Sequence, residues 1–332
     1  MPNSTQATWA KAYPHPTHAG VMLPQAVAHR GYSAAYPENT MAAFRGAVEE
    51  AGAHAIETDV HLSKDGVLVL AHDIDLKRCF GRPEKVADLA FADLAALKTL
   101  KPPHEPVPSL EQLLEYIAQP EHAHIWLLLD IKVNLAAPRR RRRSLLRPRH
   151  PPPTHSHPRP WSTRILLGCW SPAYMSLAQT HLPDIPLAHI GLSTSYAARA
   201  ILPMHPHCTL NMSMRALVGL SAARRDAFAE TAVFAWTVND RAWMRWCVRR
   251  AALPAQNVGG VDAVVTDDPR LFREVCREVG WDGEGGGHEA GALALVRAWL
   301  VGLAMEMLSR VLLATGWYSR VTVKSGGKPK TA

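Results

Sequence analysis

Ala28-His29-Arg30-Gly31, Pro37-Glu38-Asn39-Thr40, Glu57-Thr58-Asp59 and Ala71-His72-Asp73, all within residues 28–73, are the stretch on which the fold turns. The apolar runs Ala26–His29 and Ala55–Val60 bracket a helical pattern, so the stretch reads as one strand–helix–strand unit. On a strand, residues i and i+2 point to the same side. Glu57 and Asp59 therefore aim two carboxylates at one point, which suits a hard cation such as Mg2+ or Ca2+. His29 and His72 offer acid and base near neutral pH. Arg30 offers a planar fork suited to phosphate. Each piece alone has an ordinary reading: a turn with a solvated arginine, a polar strand end, a capping pair. Together they are a set for metal-assisted cleavage of a phosphate ester.

Outward from this unit the same text repeats. Further strand-like runs are Ile125–Lys132, Arg164–Trp170, Pro186–Gly191, Thr209–Met212, Val233–Val238 and Val261–Thr266, and Val67–His72 reads as a hairpin arm. Eight main strands alternating with helices predict a parallel (β/α)8 TIM barrel. Unbroken apolar text such as Trp126-Leu127-Leu128-Leu129 fits strands buried on both faces. A doubly wound sheet is the alternative from pattern alone. No G-x-G-x-x-G follows the first strand, which disfavours a dinucleotide fold. In a barrel, functional groups sit at the C-terminal ends of strands, where His29, Glu57, Asp59, Asp130, Lys132 and Trp236 all fall.

The order of these motifs resembles the glycerophosphodiester phosphodiesterase family of the phospholipase-C-like barrel superfamily. Besides the residues quoted, the resemblance rests on Pro108-Ser109-Leu110-Glu111, Leu129-Asp130-Ile131-Lys132, Trp236-Thr237-Val238-Asn239 and Val261–Pro269. It covers roughly residues 24–280 and looks most like the fungal branch that includes phosphatidylglycerol-specific phospholipases C. The resemblance implies a phosphoric diester hydrolase acting on a glycerophosphodiester or a phospholipid. His29 and His72 would be catalytic, and Glu57, Asp59 and Asp130 would hold Mg2+ or Ca2+. Arg30, Lys132 and Trp236 would bind substrate. Asp130 stands where many relatives carry glutamate, and its shorter reach leaves room for a water. Trp236 reads equally as core packing, Lys132 as a solvated strand end, and Asp267 and Asp268 as helix caps. A sphingomyelinase-D-like phospholipase and a catalytically impaired membrane scaffold are the competing readings.

The chain has 332 residues and is 47% hydrophobic, enough for one large barrel with tails. The expected division is an N-terminal tail over 1–23, a barrel over 24–282, and a glycine linker with an apolar tail over 283–332. Net charge is +8, and eight arginines between residues 135 and 160 account for all of it. The body is neutral, and the arginine block has no aromatic or fold support for RNA, so no nucleic acid is expected. Seven prolines in the same block forbid the regular helix due after the third strand. A basic insertion, a membrane-facing loop and a mis-spliced or frame-shifted segment are the open readings. Five dispersed cysteines without C-x-x-C read as reduced thiols. Met1–Gly20 shows no signal-peptide pattern. Residues 291–318 are apolar, interrupted by Arg297, Glu306 and Arg310, and are followed by Lys324, Lys328 and Lys330. An interfacial or hairpin anchor on the cytosolic face of the endoplasmic reticulum or of lipid droplets is expected, with those three charges near water. A helix packed on the barrel of a cytoplasmic protein is the alternative.

Overall fold

The computed structural model describes residues 6–132, 159–218, 227–252, 260–278 and 291–314. The arginine–proline block up to residue 158, the glycine linker and the basic end lie outside the described residues. A short ribbon of β1 (Tyr13–Pro14) and β2 (Met22–Leu23) comes first. There follow β3 (Gln25–His29), β4 (Ala55–Leu62), β5 (Leu68–Leu70), β6 (Trp126–Ile131), β7 (Ile165–Cys169), β8 (Leu187–Gly191), β9 (Thr209–Ser213), β10 (Val233–Trp236) and β11 (Ala263–Thr266). Parallel pairing runs β3, β4, β6, β7, β8, β9, β10, β11 and back to β3, so eight strands close into the expected barrel. β5 pairs antiparallel with β4, as the hairpin reading required.

Burial explains the strand text. β6, β7, β8, β9 and β11 are buried along their whole length, because the barrel interior takes one face and the helices the other. The interior packs Trp126 and Phe234, 5.7 Å apart, among the small Ala55, Ala188 and Ala263. Alternating bulk in this way fills the taper. Outside, helix Leu110–Ile117 starts at a capping box of Ser109 and Gln112 and buries Leu113 and Ile117. Burying such a side chain contributes about 1.5–3 kcal/mol.

Residues 6–14 are not a loose tail. Ala7 and Ala10 enter the barrel's interior core, and Trp9 stacks edge-on against Trp126 at 5.2 Å. Gln25 ties the segment down: its amide donates to the Trp9 and Lys11 carbonyls and its oxygen accepts from the Trp126 indole. The segment seals the N-terminal end of the barrel.

The last described helix, Ala292–Ala314, packs on the segment Met214–Val218 and on Thr194–Tyr196. It is long and apolar enough, by length and composition, to cross a membrane. The expectation that Glu306 stays near water is corrected. Glu306 is buried and accepts hydrogen bonds from Ser193 Oγ (2.8 Å), Thr194 Oγ1 (2.9 Å) and the Ser195 amide (3.0 Å).

Candidate active site

Register brings the predicted residues together. His29 on β3 lies opposite Glu57 on β4, and Asp59 lies opposite Asp130 on β6. The hairpin turns the chain back over the same point: the Ala71 amide bonds to the Asp59 carbonyl, and His72 follows. A cavity of ≈ 170 Å³ at the C-terminal mouth is lined by all eight predicted residues: His29, Arg30, Glu57, Asp59, His72, Asp130, Lys132 and Trp236.

The carboxylate cluster can hold a cation. Glu57, Asp59 and Asp130 each offer an oxygen, all within 4.8 Å of one another, and all three residues are buried. Oxygen donors alone suit a hard divalent ion. Their charge is incompletely matched. Lys132 Nζ lies 2.6 Å from Asp130 and 3.0 Å from Asp59, and Arg30 Nε is 3.3 Å from Asp59. Burial opposes the charge on Lys132, but the two aspartates outweigh it and raise its pKa to about 12. Asp59 is likewise held below the usual carboxylate range, because Lys132 and Arg30 outweigh its burial. Glu57 goes the other way: burial and the Asp59 charge outweigh His29 and Arg30 and push it up to about 8.

Both histidines are oriented by aspartates. His29 Nδ1 is 2.6 Å from Asp267 Oδ1, and His72 Nδ1 is 2.8 Å from Asp73 Oδ1. Each ring is thereby left to present Nε2 to the chemistry, and His29 Nε2 stands 4.0 Å from Glu57. Burial lowers the His29 pKa, but the Asp267 hydrogen bond and the Glu57 charge outweigh it and leave it raised.

The backbone makes this possible. Arg30 has φ 58° and Gly31 φ 81°. A Cβ on Gly31 would sit 2.7 Å from Ala43, so only glycine passes there. The turn aims the Arg30 amide at Glu57 Oε2, 3.0 Å away. Arg30, whose fork suits phosphate, lines the cavity with its Nη1 bound to Glu38 at 2.9 Å.

Sequence reasoning missed four supporting residues. Glu38 joins Arg30 to Arg78, which in turn donates to Asp73, so one chain of ion pairs connects both histidine segments. Asn39 donates to Asp59 at 2.9 Å and accepts from Thr58. Asp267 was read as a cap; Asp268 caps helix Pro269–Glu278 through the Leu271 amide, while Asp267 serves His29. Glu38 and Asn39 lay inside a quoted motif, and that was the available signal. Trp170 donates from its indole to Asp130 at 3.0 Å and stands 5.7 Å from Trp236. Trp236 packs on the barrel core and also lines the cavity.

The sequence model of the Glycerophosphoryl diester phosphodiesterase family matches residues 29–271. The chain belongs to that family. A glycerophosphodiester phosphodiesterase of Bacillus altitudinis is 39% identical over 97 residues, covering 28% of this chain and 39% of that protein. Human glycerophosphodiester phosphodiesterase 1 is 32% identical over 114 residues, covering 32% of this chain and 33% of that protein. The chain thus spans well under two thirds of these relatives' lengths. Among solved structures, an Oleispira antarctica phosphodiesterase in complex with the product sn-glycerol-3-phosphate superposes with TM-score 0.60 at 24% identity. It covers 77% of this chain and 97% of that one. Its likeness establishes the barrel fold of this family for the present chain.

Proposed function

We propose that the chain is a phosphoric diester hydrolase that cleaves a glycerophosphodiester bond. The observation that carries this is the single cavity on which two aspartate-held histidines flank three buried carboxylates. Glu57, Asp59 and Asp130 would hold a Mg2+ or Ca2+ ion, which would supply Lewis-acid polarisation of a phosphoryl oxygen. Lys132 and Arg30 place positive charge beside the phosphate's developing negative charge. One imidazole takes a proton from the attacking oxygen, either water or a glycerol hydroxyl that first closes a cyclic phosphate. The other gives a proton to the departing oxygen. Trp236 and Trp170 wall the side where the alcohol or glycerol moiety lies.

We assign phosphatidylglycerol as the preferred phosphodiester, with release of diacylglycerol and glycerol phosphate. The resemblance to the fungal branch supports this, as does the exposure of Leu293, Leu300, Leu303 and Met307 on helix Ala292–Ala314. That face would lie in the headgroup–acyl boundary of the endoplasmic reticulum or of a lipid droplet, on the cytosolic side. The test is release of glycerol phosphate from glycerophosphoglycerol and from phosphatidylglycerol vesicles by the purified full chain, with and without EDTA. Turnover that needs a divalent ion supports the reading; none on either substrate in Mg2+ or Ca2+ overturns it. Deleting residues 288–332 should move the protein from the membrane fraction to the soluble one, and equal solubility of both forms overturns the anchor.

A further inference from the structure

A second, larger groove of ≈ 970 Å³ lies beside the candidate site. One wall is barrel text that follows β9 and β10: Met214, Val238 and Trp243. The other wall is the C-terminal helix, through Leu293, Val301 and Met305. Trp236 and Thr237 line this groove and the catalytic cavity alike, so the two spaces meet across one indole.

The helix wall is built into the barrel. Gly302 touches the Arg215 carbonyl so closely that a Cβ would lie 2.5 Å from its oxygen. One turn on, buried Glu306 takes its three hydrogen bonds from Ser193, Thr194 and Ser195. Small and polar residues, Ala298, Gly302, Glu306 and Ser309, therefore form the docked stripe, and apolar residues are left for other surfaces. Among the described residues, charged lining is confined to Arg215, Arg297 and Asp240, a set with excess positive charge.

We propose that this groove holds one acyl chain of an anionic glycerophospholipid while its phosphodiester occupies the catalytic cavity. The proposal rests on the diesterase reading above and extends it to what the enzyme does with hydrocarbon. Continuity selects the occupant. A group attached to a diester beside Trp236 finds this groove directly across the indole, and the space there is mainly apolar and of the size that small-molecule ligands fill. The excess of arginine favours an anionic lipid over a cationic one. The outer face of the same helix, with Leu300 and Leu303 about half exposed, sits where a chain would be drawn from a lipid surface.

The experiment measures kcat/KM for glycerophosphoglycerol and for its monoacyl derivatives with butanoyl, hexanoyl and octanoyl chains, kept below micelle formation. Each methylene that enters the groove should raise kcat/KM roughly four-fold, the factor that corresponds to about 0.8 kcal/mol. Val301→Glu should flatten that rise and leave glycerophosphoglycerol turnover unchanged. If V301E loses glycerophosphoglycerol turnover as well, Val301→Gln is read in its place. A rise that survives in the Val301 variant, or no rise in the native chain while glycerophosphoglycerol is turned over, overturns the groove and leaves the diesterase reading standing. No turnover of any substrate, glycerophosphoglycerol included, overturns both.

Discussion

The two halves of the barrel mouth follow opposite rules. β3, β4 and β6, with the hairpin beyond β4, supply every charged or imidazole group in the cavity: His29, Arg30, Glu57, Asp59, His72, Asp130 and Lys132. β7 to β11 and the positions directly after them supply Trp170, Ile190, Asn211, Trp236, Thr237 and Val265, none charged. The larger groove opens on the uncharged half. On the proposed function, bond chemistry and recognition of the attached group would be segregated across one opening. Changes to the charged lining should act on every diester alike, and changes confined to the larger groove should act only where the diester carries hydrocarbon.

The largest effect expected is that of metal removal. EDTA should abolish turnover of short and acylated diesters together, and Mg2+ or Ca2+ should restore both, with no special need for zinc. Full activity after stripping would break the charged half of the comparison. Next in size, His29→Ala and His72→Ala should each lower kcat by ~10²-fold or more with the fold intact. A loss confined to acylated substrates would show that the halves are not separate. Asp267→Asn should cost about ten-fold, as loss of a group that orients a catalytic imidazole. It also carries a sign: removing the anion that raises the His29 pKa should move one limb of the pH–rate profile to lower pH. An unmoved profile would reduce Asp267 to a structural role.

Gly302→Val probes the other half. The helix must shift away from Arg215, so discrimination by chain length should vanish while glycerophosphoglycerol turnover is kept. Retained chain-length dependence would locate it elsewhere. The smallest effect is on stability and belongs below the charged half. His54 accepts the Ala26 amide at the base of β4, and burial, with Arg273 nearby, lowers its pKa to about 3. The unfolded chain takes up that proton near the ordinary pKa of 6.5, so His54 contributes stability above that pH and loses it as pH falls toward 3. About 1.4 kcal/mol should be lost one pH unit below the unfolded value. Thermal unfolding should show it, and His54→Gln should flatten the slope; an equal slope in both forms would remove His54 as the cause.

The charged half was legible in the sequence because its parts are local. Glu57 and Asp59 declare a shared side by strand period, and the eight apolar runs mark strands to within about two residues. What was not legible depends on closure of the barrel. Asp267 reaches His29 only because β11 pairs with β3, across 238 positions of chain. Read locally, it is one of two aspartates before a proline, which is why a cap was expected. Glu306 was placed near water because its neighbours in sequence are apolar; its partners stand 111 or more residues away. Arg78 reaches Glu38 from the lobe beyond the hairpin, and no periodicity reports such a contact.

The plug formed by residues 6–14 has a consequence for traffic. Trp126 and Phe234 fill the barrel interior, and Trp9, Ala7 and Ala10 pack beneath them, so among the described residues no passage runs from the cavity to the far end. On the proposed activity, both fragments of a cleaved diester would leave by the opening through which the next substrate arrives. The fragment that keeps the phosphate would leave against the pull of Lys132 and Arg30, while a fragment that keeps hydrocarbon would pass Trp236 into the groove. Departure should therefore be ordered by charge, with the phosphate-bearing fragment the last to clear the doorway and the one that competes with incoming substrate.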